Sequence, residues 1–302
     1  MRYHNLFTHK KKHNELAYIP FLLLGDPSTE HSLQLIDTLV KSGADALELG
    51  FAFSDPVADG PVIQQASLRP LANGFTVLDG LKLIKKVRET YPNLPIGLLT
   101  YANLIFAQGI DNFYALAKSH GLDSVLIADC PVQESELFAS AARKYAIEMV
   151  FIAPPDADPE TLQMIASKSQ GYTYVLSRKG ITGTEVAASQ ASSGFIQALK
   201  DLGSAPLVQG FGISEPNHVY QAAAAGVDGI ITGSAIVKLI NQHYNNPDIM
   251  LEKVAEYAQS MAYAAHQAHN INQSALSGQS KGNDNVYSGK DQESTARYGA
   301  TS

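Results

Sequence analysis

The chain has a single cysteine in 302 residues, Cys130. It leaves no partner for an intrachain disulfide and too few thiolates for a structural zinc site. Positive charge is also short: 22 Lys and Arg against 29 Asp and Glu give a net charge of −7. That balance argues against nucleic acid or an acidic membrane surface as the main partner. A short basic run, His9-Lys10-Lys11-Lys12-His13, reads as a solvated loop ahead of the first strand. His9 and His13 could share a metal only on a helix, and no third ligand stands near them in the sequence, so no metal is expected. No apolar run can span a bilayer: the longest, near Ala17 to Leu24, falls far short of the ~20 residues required. From Met1 to Leu16 the chain is polar, without the apolar segment of a secretory signal, and a soluble, cytoplasmic protein is expected.

What is present is an alternation of short β-rich runs with amphipathic helical segments. At 45% apolar content the chain can bury one large core, and its length does not force two domains. Eight runs read as buried strands: Tyr18 to Leu24, Ala44 to Gly50, Leu94 to Leu99, Ser124 to Ala128, Glu148 to Ala153, Tyr172 to Leu176, Pro206 to Gln209 and Val227 to Thr232. Each is followed by a helical pattern. Ser28 and Thr29 offer a cap for the first of these, and Pro61, Pro159 and Pro216 suit first helical turns. Eight strands each followed by helix predict a closed α/β barrel of the (β/α)8 (TIM) type, with extra N-terminal and loop helices. An open doubly wound sheet would place its Gly-rich fingerprint after the first strand, where Gly25-Asp26-Pro27 lacks it. From residue 270 the composition turns to Ser, Asn, Gln, Gly and charge, too polar to offset chain entropy by burial. The expected division is therefore a catalytic barrel over 1–269 and a disordered tail over 270–302.

A barrel places its site at the C-terminal ends of its strands. Those ends carry Phe21, Glu48, Leu99 with Tyr101, Asp129, Ile152, Tyr174, Phe211 and Gly233. Glu48 interrupts an apolar strand, and Asp55 and Asp59 follow in the next loop. A carboxylate there is costly without a partner or a function, although structural ion pairs also collect at strand ends. Phe21, Leu99, Tyr101, Ile152 and Phe211 suggest an apolar slot for a flat aromatic ligand; each alone is more often simply barrel core. Glycine clusters at Gly180 to Gly183, Gly210 to Gly212 and Gly233-Ser234 follow the last three strands. Glycine lets backbone N–H groups close on a phosphate, and many barrels hold one after their last two strands. The competing reading is tight turns.

The run Leu47-Glu48-Leu49-Gly50, with Phe53-Ser54-Asp55-Pro56, Ala58-Asp59-Gly60-Pro61 and Gln64, resembles the signature of the tryptophan synthase α-subunit family. Thr100 to Asn103, Leu176-Ser177-Arg178, Gln209 to Ser214 and Gly233 to Lys238 carry the same resemblance, which spreads from about Asn5 to about His266. Ala52 stands where the family usually has proline, and Cys130 where an aliphatic residue is usual.

The resemblance implies a carbon–carbon lyase that cleaves indole-3-glycerol phosphate, by a retro-aldol step, to indole and glyceraldehyde 3-phosphate. It carries over Glu48 and Asp59 as the catalytic acids, and Phe21, Leu99, Tyr101, Ile152, Tyr174 and Phe211 as the indole pocket. Gly183, Gly212, Gly233 and Ser234 become phosphate-binding, Thr182 part of a lid, and Asp55 part of a partner-facing loop. It also implies a β-subunit partner in an α2β2 heterotetramer, to which indole passes and to which the pyridoxal phosphate belongs; this chain is expected to hold no cofactor. The alternatives are a freestanding indole-releasing lyase and a non-catalytic subunit that binds the phosphorylated ligand and activates its partner.

Overall fold

The computed structural model describes residues 1–177 and 192–280, with side chains as far as Ala268. Nine parallel strands lie among the described residues: β1 (Ala17–Leu23), β2 (Leu47–Gly50), β3 (Ile96–Thr100), β4 (Ser124–Ile127), β5 (Glu148–Val150), β6 (Ile152–Ala153), β7 (Thr173–Val175), β8 (Leu207–Gln209) and β9 (Gly229–Thr232). They form one sheet in the order β5-β4-β3-β2-β1-β9-β8-β7-β6. Its two ends, β5 and β6, are successive pieces of one expected strand divided at Phe151. The sheet therefore closes on itself through the chain, as a (β/α)8 barrel does.

Strand alternation builds two cores. Ala17, Ile19, Phe21 and Leu23 point into the barrel with Leu126, Val150, Tyr174 and Ile231. Tyr18, Leu22, Leu47, Leu49 and Leu98 point outward to the helices. Every residue of β1 is buried, as expected of a parallel strand covered on both faces. Side-chain caps start two of the early helices. Ser28 Oγ accepts from the His31 N–H at 3.2 Å to start Thr29–Lys41, and Thr76 with Asp79 forms a capping box at the start of Val77–Thr90.

Two segments differ from expectation. The basic run is the last turn of a helix, Arg2–His13, instead of a solvated loop. Tyr3 and Phe7 of that helix are buried in the barrel core, and Lys10 is only 5% exposed, with Nζ 2.9 Å from Glu15 and 2.7 Å from Asp45. The ammonium is tolerated there because two carboxylates meet it. The last helix, Pro247–Ser280, runs past the boundary expected at residue 269. Residues 281–302 of the tail lie outside the described residues. Among the described residues, no helix is long and apolar enough to cross a membrane.

Candidate active site

Glu48 is the middle of an alternation. Leu47 and Leu49 on either side face the helices, so the Glu48 side chain turns into the barrel, in register with Phe21 on β1 and Gly97 on β3. It is 2% exposed. Among the described residues one hydrogen-bond partner reaches it: the Tyr172 hydroxyl donates to Glu48 Oε1 at 2.9 Å. Burial raises the carboxyl pKa to about 7 against the opposing pull of that hydrogen bond. The folded protein thus keeps a proton that the unfolded chain surrenders above about pH 4.5. Stability should fall as pH rises through the window from there to about 7, by up to about 3 kcal/mol. Denaturant unfolding across that range should show Glu48→Gln without this share of the loss. Because the tyrosine stabilises the charged form, Tyr172→Phe should move the Glu48 titration to higher pH, visible as a shifted limb in a pH–rate profile.

Asp59 comes from the loop after β2, just ahead of the helix Pro61–Ala72. The loop is held from behind. The Tyr101 hydroxyl accepts the Ala58 N–H at 3.3 Å and hydrogen-bonds the Asp59 carboxyl, while its ring stacks on Phe53 at 5.1 Å. Gln64 Nε2 donates to the Asp59 carbonyl at 2.7 Å. Burial raises the Asp59 pKa to about 6, the Tyr101 bond opposing. Tyr174 lies between the acids electrostatically: burial first, then the charges of Glu48 and Asp59, hold its phenol well above its ordinary pKa and therefore neutral.

Both carboxyls line one cavity of about 860 Å³ at the strand ends. Phe21, Leu99, Ile152, Tyr174 and Phe211 line it too, with Gly212, Gly233 and Ser234. Ser234 opens the helix Ser234–His243, whose first N–H groups and positive end suit an anion. Backbone approaches closely here. A Cβ on Gly210 would stand 1.8 Å from the Tyr174 hydroxyl oxygen, and Phe211 takes a left-handed φ of 60° that packs its ring edge-on to Tyr174, with centroids 6.4 Å apart. Gly210→Ala should therefore dislodge Tyr174, costing about 1–3 kcal/mol of stability and raising KM for a ring-bearing substrate; calorimetry and steady-state kinetics read the two effects.

The cavity unites most of the candidates. Tyr101 is buried behind the acid loop, supporting Asp59 instead of lining the slot. Asp55 is exposed and accepts from the Ser54 hydroxyl at 2.5 Å. Thr182 and Gly183 lie outside the described residues. Tyr172 was not singled out from the sequence, although it stands two residues before Tyr174 and so shares its inward face. Among the described residues, no group of three or more His, Cys, Asp or Glu side chains could hold a metal ion.

Comparison with known proteins gives the family. The family model for the tryptophan synthase alpha chain matches residues 7–266. The tryptophan synthase alpha chain of Escherichia coli O81 (strain ED1a) is 51% identical over 263 residues, spanning 87% of this chain and 98% of the relative. The structure of tryptophan synthase subunit alpha from Legionella pneumophila str. Paris superposes with a TM-score of 0.78 at 30% identity, covering 87% of this chain and 98% of that one. A chain of the tryptophan synthase complex from Pyrococcus furiosus gives 0.73 at 32% identity, covering 82% and 98%. With its barrel, its paired acids and its matched length, the chain belongs to the tryptophan synthase alpha chain family.

Proposed function

We propose that this lyase subunit cleaves indole-3-glycerol phosphate to indole and glyceraldehyde 3-phosphate and passes the indole to a β subunit. The observation that carries the reading is the pairing of two buried acids of raised pKa with one cavity lined both by apolar side chains and by the helix N-terminus at Ser234.

Bond cleavage requires a proton on indole C3 and removal of the proton from the adjacent glycerol hydroxyl. Protonated Glu48 gives its proton to C3; as carboxylate it then takes the hydroxyl proton while the C3–glycerol bond breaks. The bonding electrons return to the ring, the hydroxyl carbon becomes the aldehyde, and Glu48 ends protonated as it began. A pKa near neutrality suits both transfers. Ionised Asp59 accepts the ring N–H and offsets the positive charge that C3 protonation places on the indole. Phe21, Leu99, Ile152 and Phe211 pack the ring, and burying it contributes about 2–3 kcal/mol. Backbone N–H groups at Gly212, Gly233 and Ser234 take the phosphate; the family resemblance adds Gly183 as a phosphate ligand and Thr182 as part of a lid.

The partner face is the loop carrying Asp55, where Val57 is 70% exposed. An α2β2 assembly, with pyridoxal phosphate in the β subunit, follows from this reading. Mixing the chain with a tryptophan synthase β subunit should raise its rate of indole formation from indole-3-glycerol phosphate. Turnover that the β subunit leaves unchanged would contradict the partnership.

A further inference from the structure

One arginine ties together the segments that follow three neighbouring strands. β9, β1 and β2 lie side by side in the sheet. β9 leads to Gly233 and the helix Ser234–His243, β1 carries Phe21 and leads to the turn at Asp26, and β2 leads to Asp59 and the helix Pro61–Ala72. Arg69, in the last turn of Pro61–Ala72, reaches the other two segments. Its Nε and Nη2 donate to the two carboxyl oxygens of Asp26 at 2.6 and 2.9 Å, and Nη2 also donates to Asn241 Oδ1 at 2.5 Å. Asn241 Nδ2 donates in turn to the Val62 carbonyl at 3.4 Å. The Tyr244 ring covers the guanidinium, its centroid 4.9 Å from Cζ.

The contacts lie a short way behind the site. Asn241 stands about two turns along its helix from Ser234, and Val62 is in the first turn after Asp59. Neither Arg69 nor Asn241 lines the cavity. Stability alone is a weak account of the arrangement. Asp26 is 1% exposed, and burial pushes its carboxyl pKa up against the opposing pull of Arg69, so the pair carries a desolvation cost. Well-packed apolar side chains would hold the helices as firmly. What a planar fork adds is register, because it meets Asp26 and Asn241 together only in one relative placement of the three segments.

We propose that Arg69 and Asn241 are positioning residues, which hold the helix presenting the phosphate cradle in register with the loop carrying Asp59. A ligand anchored by its phosphate then meets that carboxylate at the productive distance. Both residues act through Asp59, and the proposal rests on reading Asp59 and the Ser234 helix as parts of one site for indole-3-glycerol phosphate.

The test is steady-state release of indole from indole-3-glycerol phosphate by the full chain with a tryptophan synthase β subunit, comparing the unchanged protein with Asn241→Leu. Leucine fills a similar volume and makes neither bond. kcat should fall about tenfold, while KM changes by less than about twofold because the backbone N–H groups of the cradle remain. The acidic limb of the pH–rate profile should move below about pH 6, since a loosened Asp59 gains water and loses part of the burial that raises its pKa. The alkaline limb near 7, set by Glu48 on β2, should stay. Asn241→Asp, which still accepts from Arg69, should restore most of kcat and return the acidic limb. If Asn241→Leu does not fold, Asn241→Ala, which removes the amide without adding an apolar branch, takes its place. A merely structural tie would lower the melting temperature and leave kcat and both limbs in place wherever the variant is folded. That result, or a loss shared equally by Asn241→Asp, would overturn the positioning role and leave the functional reading standing. Absence of indole release by the unchanged protein would overturn both.

Discussion

Replacement of Glu48 by Gln should lower the rate of indole release by about 10³-fold, within the range of lost general acid–base catalysis. The amide keeps the side chain's shape and can still meet the Tyr172 hydroxyl, but it has no proton to give to C3 and no charge with which to take one back. The loss should fall on kcat. The phosphate cradle at Gly212, Gly233 and Ser234 and the apolar slot are untouched, so KM should change little. Burial suits Glu48 to both proton transfers, because at 2% exposure, and against the opposing Tyr172 hydrogen bond, its carboxyl stays protonated to about pH 7. Steady-state rates with the β subunit present, under saturating indole-3-glycerol phosphate, measure the effect. Undiminished release by the variant would remove Glu48 from the mechanism.

Asp59→Asn should cost about 10²-fold, the scale of losing one preorganised group that stabilises developing charge. Asparagine retains an acceptor for the Tyr101 hydroxyl, and the backbone bond from Gln64 is unaffected, so the loop should keep its place. Only the negative charge facing the ring is lost. The pH dependence gives a second signature. Asp59 must be ionised, so activity should fall as pH drops through about 6; Glu48 must begin protonated, so activity should also fall as pH rises through about 7. The asparagine variant should lose the acidic limb and retain the alkaline one. A variant that shows both limbs would mean that another group sets the lower one.

The barrel was legible because its strands are buried on both faces and bounded by Gly, Pro and Asp, and because a cap such as Ser28 is a local signal. Glu48 was legible for a related reason: a lone acid between Leu47 and Leu49 must point into the barrel if they point out. Other features depended on residues distant in the sequence. Nothing in the apolar run Glu148 to Ala153 shows that pairing changes at Phe151, since that depends on which neighbour each half can reach. Lys10 looked solvated because Asp45, its second partner, is far along the chain. Tyr101 sits at a strand end with the slot residues, yet its contacts to Phe53, Ala58 and Asp59 draw it behind the acid loop. Tyr172 shares an inward face with Tyr174, but an aromatic residue in a buried strand looks like ordinary core until its hydroxyl is seen to meet Glu48.

The family membership and the barrel leave one central claim to test, that two buried carboxyls of raised pKa divide the proton transfer and the charge stabilisation between them. The most direct measurement is the pH profile of single-turnover indole release from indole-3-glycerol phosphate by the chain with its β subunit. A narrow bell with limbs near 6 and 7 is the predicted result. A rate that stays flat from about pH 5 to about pH 8, a range spanning both limbs, would contradict it.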